Sequence, residues 1–252
     1  MKIISSPAKL MKIYSINSPL RSTTAKFITE AELIQKYLKP KTPKYLSELM
    51  EISQKLADEN WQRNQVWTPK PSANKSSQAL YAFNGEVYKG LDAETLDENA
   101  TKYLQKNFRI ISGLYGLLRP SDRIMPYRLE MGRNFKFEKN KNLYSFWQEK
   151  ITNELKSELK KDEILLNLAS HEYFKAVDQA ELKNHIVNVE FKEIRNGKPK
   201  TIVVYTKHAR GLLARFCAET NAKKLNDVKA FNADHYLFDE KLSTKTNLVF
   251  TR

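Results

Sequence analysis

Apolar residues recur along the chain with two spacings. Phe27, Ala31, Ile34 and Leu38 fall three or four apart, on one face of a helix. Pro40 and Pro43 stop that helix, and Pro43 also suits the first turn of the next. There Tyr45, Leu49, Ile52 and Leu56 continue the helical spacing. Leu96, Ala100, Tyr103 and Leu104 mark another helix, and Leu143, Trp147, Ile151, Leu155 and Leu159 a long one with a lysine-rich outer face. Leu212, Leu213, Phe216 and Cys217 share one side of a last helix.

The second spacing is that of strands. Residues 2–5, 108–111 and 163–168 are short apolar runs, the last nearly continuous, as in a strand buried on both faces. Residues 186–194 and 201–205 alternate at period two around 195–200, which predicts a hairpin. Residues 80–83 and 87–88 flank Asn84-Gly85 and predict a strand–turn–strand piece, while 247–250 predict a closing strand. Residues 65–77, with two prolines and no periodicity, read as a loop. Helices and strands alternate irregularly, without repeat or linker. The expectation is a single compact α/β domain over residues 1–252, a mixed sheet with surrounding helices and a basic cleft at strand ends. The absence of GxGxxG argues against a Rossmann dinucleotide site.

Composition narrows the function classes. Cys217 is the only cysteine, so neither an intrachain disulfide nor a cysteine zinc site can form, and a reducing, cytoplasmic setting follows. The first residues hold too short an apolar core for a secretory signal, and no window approaches the ~20 apolar residues that span a bilayer. A soluble protein with no membrane partner is expected. The formal charge of +14 favours an anionic partner, whether nucleic acid, acidic lipid or a phosphorylated small molecule; a lysine-rich solvated surface is the alternative.

Within that charge, arginine is concentrated. Residues 108–133 hold five of the eleven arginines (Arg109, Arg119, Arg123, Arg128 and Arg133), three glycines and two prolines. Guanidinium groups on a turn-rich segment suggest forked contacts to oxyanions. Three candidate strands also end in small or hydroxylated turns: residues 5–9, 112–116 and 169–172. If the strands run parallel, these turns share a rim, where ligands of α/β sheets gather; Ser170 could equally be a helix cap. Lys207 and Arg210 are read at the start of the last helix, where cations oppose the macrodipole unless an anion or a carboxylate such as Glu130 or Glu172 neutralises them.

Residues 43–64 admit a nucleic-acid reading. Leu46, Leu49, Met50, Glu51, Ile52, Ser53 and Ala57 fall in the register of a helix-hairpin-helix, with Lys44, Ser53, Lys55 and Arg63 as its phosphate-facing candidates. Glu51 and Ser53 fill both glycine positions of that pattern, and a continuous amphipathic helix is the competing reading. Catalytic signals are thinner. Glu130, Tyr127, Arg128, Glu172, Tyr173 and Lys9 could supply an acid–base set with an oxyanion clamp, but no reaction follows from them. Cys217 reads as buried filler, and the four histidines lack metal-binding spacing.

The strings SSPAK at 5–9, FNGEVYKGL at 83–91, SGLYGLLRPSDRIMPYRLEMG at 112–132, NLASHEYFK at 167–175, KHARG at 207–211 and FNADHYLFD at 231–239 resemble the YaaA family of peroxide-stress proteins. The resemblance runs in order along nearly the whole chain. It implies a cytoplasmic protein of the oxidative-stress response that limits damage by peroxide and unincorporated iron. It also implies one compact α/β fold with a basic cleft and binding of double-stranded DNA through a helix-hairpin-helix-like element. The motif positions it assigns to the cleft are Lys9, Tyr88, Arg119, Arg128, Glu130, Lys207 and Arg210. No catalytic residue, metal or cofactor is implied, and a monomer is expected. One cysteine in an apolar setting does not suit a thiol peroxidase, nor do scattered carboxylates suit iron storage. The expectation is non-specific duplex binding through phosphates, with an enzyme acting on a nucleotide or other anionic small molecule in the cleft as the alternative.

Overall fold

The computed structural model describes residues 1–13 and 18–252. Its first apolar run is strand β1 (Lys2–Ser5), followed by the short β2 (Thr23–Thr24). Helices α1 (Ile28–Leu38), α2 (Pro43–Met50) and α3 (Gln54–Val66) come next. Thr42 caps α2 by accepting from the Tyr45 amide, and Pro43 fills its first turn as expected. After β3 (Ser77–Gln78) come α4 (Ala79–Ala82), α5 (Glu86–Leu91) and α6 (Glu98–Asn107). The arginine-rich stretch supplies β4 (Phe108–Ser112), β5 (Gly116–Leu118) and β6 (Asp122–Ile124). Then follow α7 (Leu143–Glu158), β7 (Leu165–Leu168) and α8 (His171–Phe174). The chain closes through β8 (Ile186–Arg195), β9 (Lys198–Lys200), α9 (Val203–Glu219), α10 (Leu225–Lys229), β10 (Leu237–Phe238) and β11 (Asn247–Thr251).

Eight strands form one mixed sheet in the order β10-β11-β8-β7-β1-β4-β5, with β9 folded back on β8. The five central strands are parallel, and β5 and β10 run antiparallel at the edges. β1 is the middle of the site-bearing part. Ile3 lies between Phe108 of β4 and Leu166 of β7. β1, β4 and β7 are buried along their whole length, which is why they read as apolar runs without alternation, interrupted only by Arg109 and Asn167. A second sheet, β2-β6-β3, stands apart.

Three expectations fail. Residues 79–91 are the helices α4 and α5, not a strand–turn–strand piece. A four-residue apolar run buried on all sides has no telling period, and Gly85 is extended (φ −156°) rather than turned. The helix at 45–56 is not continuous. Glu51 enters the left-handed region (φ +52°), the Ser47 hydroxyl donates to the Ile52 carbonyl, and Ser53 caps α3. Residues 203–205 open α9 instead of completing the hairpin. Val203, Val204 and Tyr205 are exposed, so their alternation reports no buried face, and ladder pairing stops at Lys200 opposite Glu193.

α9 crosses α5 at a pair of glycines. A Cβ on Gly211 would stand 1.9 Å from the Val87 carbonyl oxygen, and one on Gly90 2.2 Å from that of His208. Only glycine lets the two backbones meet this closely. Among the described residues no helix is long and apolar enough to cross a membrane, and no group of His, Cys, Asp and Glu could hold a metal ion.

Candidate functional site

Because β1, β4 and β7 are adjacent and parallel, the turns that follow them do share a rim. The Ser6 hydroxyl accepts from the Ser170 amide at 2.9 Å and donates to the Ser170 hydroxyl at 3.2 Å, tying two of the turns together. Ser170 thus opens α8 without a side-chain cap of its own. From α5, the Tyr88 hydroxyl donates to the Ser6 carbonyl at 3.0 Å. Burial, with a contribution from Tyr127, drives the Tyr88 phenol well above its ordinary value, so it stays a neutral donor. The third turn, at 112–116, is buried. The Ser112 hydroxyl accepts from the Tyr115 amide and shares a 2.6 Å bond with the Tyr127 hydroxyl. Gly113 passes so close to the Leu129 carbonyl that a Cβ would stand 2.2 Å from its oxygen. That turn therefore fixes the level at which residues 127–130 run.

Above it lies a cavity of about 370 Å³ between the β1 turn, α5, α8 and α9. Pro7, Ala8, Val87, Tyr88 and Tyr173 give it apolar walls, and Lys9, Lys207, Arg210, Glu130 and Glu172 bring charge to it. Glu130 is only 4% exposed. Its Oε1 is contacted by Arg128 at 3.0 Å, Lys9 at 3.4 Å and Arg133 at 3.8 Å, while its Oε2 has no partner. Glu172 accepts from the Gly132 amide at 3.0 Å. Arg210 forms no ion pair and its buried Nε has no acceptor; burial lowers its pKa.

The charge cluster continues out of the cavity to the α2–α3 pair. Arg133 bonds Glu51 in the turn between them at 2.8 Å. That hydrogen bond holds the Glu51 carboxyl below its usual range, and Lys9 contributes to the same effect. Arg63 of α3 stands near enough to Arg128 for the two charges to interact, although burial is the larger cause of its lowered pKa.

The profile of the family described as "Peroxide stress protein YaaA" matches residues 1–242. The chain belongs to the YaaA family of peroxide stress proteins. It is 45% identical over 252 residues to a UPF0246 protein of Flavobacterium johnsoniae, with both chains covered completely. It is 43% identical over 252 residues to one of Flavobacterium psychrophilum, again with complete coverage of both. A third, from Marinomonas, is 42% identical over all of this chain and 97% of its own length.

In this YaaA-family chain the residues singled out from sequence divide into three groups. Lys9, Tyr88, Glu130, Glu172, Tyr173, Lys207 and Arg210 line the cavity, and Arg128 grips Glu130. Lys44, Ser53 and Lys55 are exposed on the α2–α3 pair, where Arg63 bonds Asn60 at 3.2 Å and feels the charge of Arg128. Arg119 does not line the cavity. Its guanidinium bonds Asp122 at 2.9 and 3.2 Å and the Thr24 carbonyl at 3.1 Å, bracing the small sheet. Lys207 and Arg210 are also not at a helix start: α9 begins at Val203, so they sit on its second and third turns and the macrodipole argument fails for them. Glu86, Val87 and Lys89 of the cavity went unread, because their segment looked like a strand. The glycines Gly90 and Gly211 were the available signal of a close helix crossing there.

Proposed function

We propose that this chain serves the peroxide-stress response in the cytoplasm by binding double-stranded DNA, held through its phosphates without base readout, and so helps limit peroxide- and iron-mediated damage. The observation that carries this reading is the continuity between the α2–α3 pair and the cleft. Arg133 joins the α2–α3 turn to Glu130, Arg63 lies close enough to Arg128 to feel its charge, and Lys9 pairs with Glu130 and feels the charge of Glu51. Lys44 and Lys55 extend the positive surface outward, exposed and free of ion pairs. Glu51 stands where a helix-hairpin-helix usually has glycine, and its charge would repel phosphate. Its pairing with Arg133 offsets that repulsion. A net charge of +14 supplies long-range attraction to a polyanion.

A titration of duplex affinity against salt tests the reading. Each phosphate contact adds ~0.9 to the negative log–log slope, so Lys44→Ala and Lys55→Ala should each lower the slope by about 1. Affinity should fall uniformly across duplex sequences. An absence of binding at low salt, or binding indifferent to salt, defeats it.

A further inference from the structure

The geometry points to a second ligand for the cleft: a phosphate monoester of nucleotide size, bound in the cavity between the β1 turn, α5 and α9. Its phosphate lies on Lys207 and Arg210, and its N–H-bearing end faces Glu130.

Three observations converge on that chemistry. Lys207 and Arg210 are three residues apart on α9 and so share a face of the helix. Neither forms an ion pair, although their neighbours do: Lys9 is held by Glu130 at 3.4 Å and Lys89 by Glu86 at 2.6 Å. Glu86 feels the charge of Lys207, but its close contact is with Lys89. A guanidinium with an ammonium beside it is a standard receiver of phosphate oxygens. Second, Glu130 is 4% exposed and its Oε2 lacks any donor. A buried carboxylate oxygen left in that state costs stability, and a ligand N–H offers what it needs. Arg210 Nε is likewise buried without a partner among the described residues, so two of the unpartnered buried atoms belong to residues that line this one cavity. Third, the walls between the charged groups are apolar, supplied by Pro7, Ala8, Val87, Tyr88 and Tyr173, which suits a flat ring. The volume, about 370 Å³, lies within the ~300–1,000 Å³ of small-molecule sites and admits no duplex. This ligand is therefore separate from the duplex of the preceding section. The same phosphate-plus-ring chemistry occurs in a free nucleotide and at the 5′-phosphorylated end of a single nucleic-acid strand.

Equilibrium dialysis of the full chain with the four common nucleoside 5′-monophosphates tests the proposal, with adenosine, ribose 5-phosphate and inorganic phosphate as fragments. At least one monophosphate should bind at least tenfold more tightly than any fragment. Arg210→Met and Lys207→Ala should each weaken it at least tenfold, and Glu130→Gln should weaken the monophosphate while sparing ribose 5-phosphate. Arg210→Met should melt at or above the temperature of the parent, which separates lost binding from lost folding. A 5′-phosphorylated hexanucleotide single strand that binds more tightly than the monophosphate, with the same loss in Arg210→Met, identifies a strand end as the source; the reverse order identifies a free nucleotide. Failure of all four monophosphates to bind at millimolar concentration overturns the proposal, as does binding that Arg210→Met and Lys207→Ala leave intact.

Discussion

The two ends of strand β1 carry similar residues to opposite effect. At the amino end a groove of about 1270 Å³ is lined by Met1, Lys2, Lys106, Glu158 and Glu163 among others. Its inner charges are paired, although the buried Glu158 Oε2 accepts no hydrogen bond from the described residues. Lys2 meets Glu158 at 3.3 Å and donates to the Lys106 carbonyl at 2.8 Å. Arg109, only 5% exposed, bonds Glu158 at 2.9 Å and forks to the carbonyls of Gln105 and Phe108. At the carboxyl end the cavity is smaller, yet among the described residues Lys207 and Arg210 lack ion pairs. Size is therefore a poor guide to function here. A charge already answered by the fold holds the fold; a charge left unanswered at a concave surface is available to a ligand.

The largest effect that tests this contrast belongs to the matched end. Glu158→Ala strips Arg109 of its carboxylate in a buried setting, and losing one partner of such a pair costs about 3–5 kcal/mol. Urea unfolding should show the loss, while nucleotide and duplex binding per folded molecule stay unchanged. A stability within about 1 kcal/mol of the parent would mean that the matched charges are not structural, and the contrast would fail.

A smaller effect is expected at the α5–α9 crossing. Gly211→Ala places a methyl 1.9 Å from the Val87 carbonyl oxygen, so the helices must separate. Overpacking of this kind costs about 1–3 kcal/mol. Since α5 carries Tyr88 and α9 carries Arg210, the two walls of the cavity part together. Nucleotide affinity should drop along with the melting temperature. If Gly211→Ala lowers stability but leaves affinity untouched, the cavity does not depend on this crossing.

How much of this was legible in the sequence depended on whether a residue's role was local. The central strands, α1, α6 and α7 announced themselves, because each buries a face whose period is set by its own backbone. The rim formed by β1, β4 and β7 was also readable, since three turns with the same small residues followed three apolar runs. The arginines misled for a physical reason. Clustering on a turn-rich stretch did signal forked contacts to oxygen, but most of those oxygens belong to the protein. Arg109 takes Glu158, Arg119 takes Asp122, and Arg123 takes Ser76 and the Ala73 carbonyl. Only Arg128 and Arg133 of the five reach Glu130. Sequence shows which residues can bind an oxyanion; whether the fold already supplies one is settled by partners distant along the chain. The same holds for α5, whose close packing depends on Gly211, about 120 residues later.

The smallest effect concerns Cys217, which belongs to the matched end of the molecule. It is fully buried on α9, and Tyr103 and Asp227 stand close enough to influence its titration or be influenced by it. Burial first, and then the Asp227 charge, push its thiol up to about 12. A peroxide-stress protein with one cysteine invites a redox reading, but the attacking species is the thiolate, and here it is nearly absent at neutral pH. Native Cys217 at pH 8 should react with iodoacetamide about a thousandfold more slowly than a free thiol of pKa ~8.5. The sign of the linked stability follows. A folded pKa above the unfolded value gives a contribution that is complete below about 9 and is lost as pH rises toward about 12. Cys217→Ala should flatten that alkaline decline in melting temperature and leave survival under peroxide unchanged. Rapid alkylation of the native chain, or loss of protection in Cys217→Ala, would transfer the chemistry to the matched end and undo the distinction between the two ends of β1.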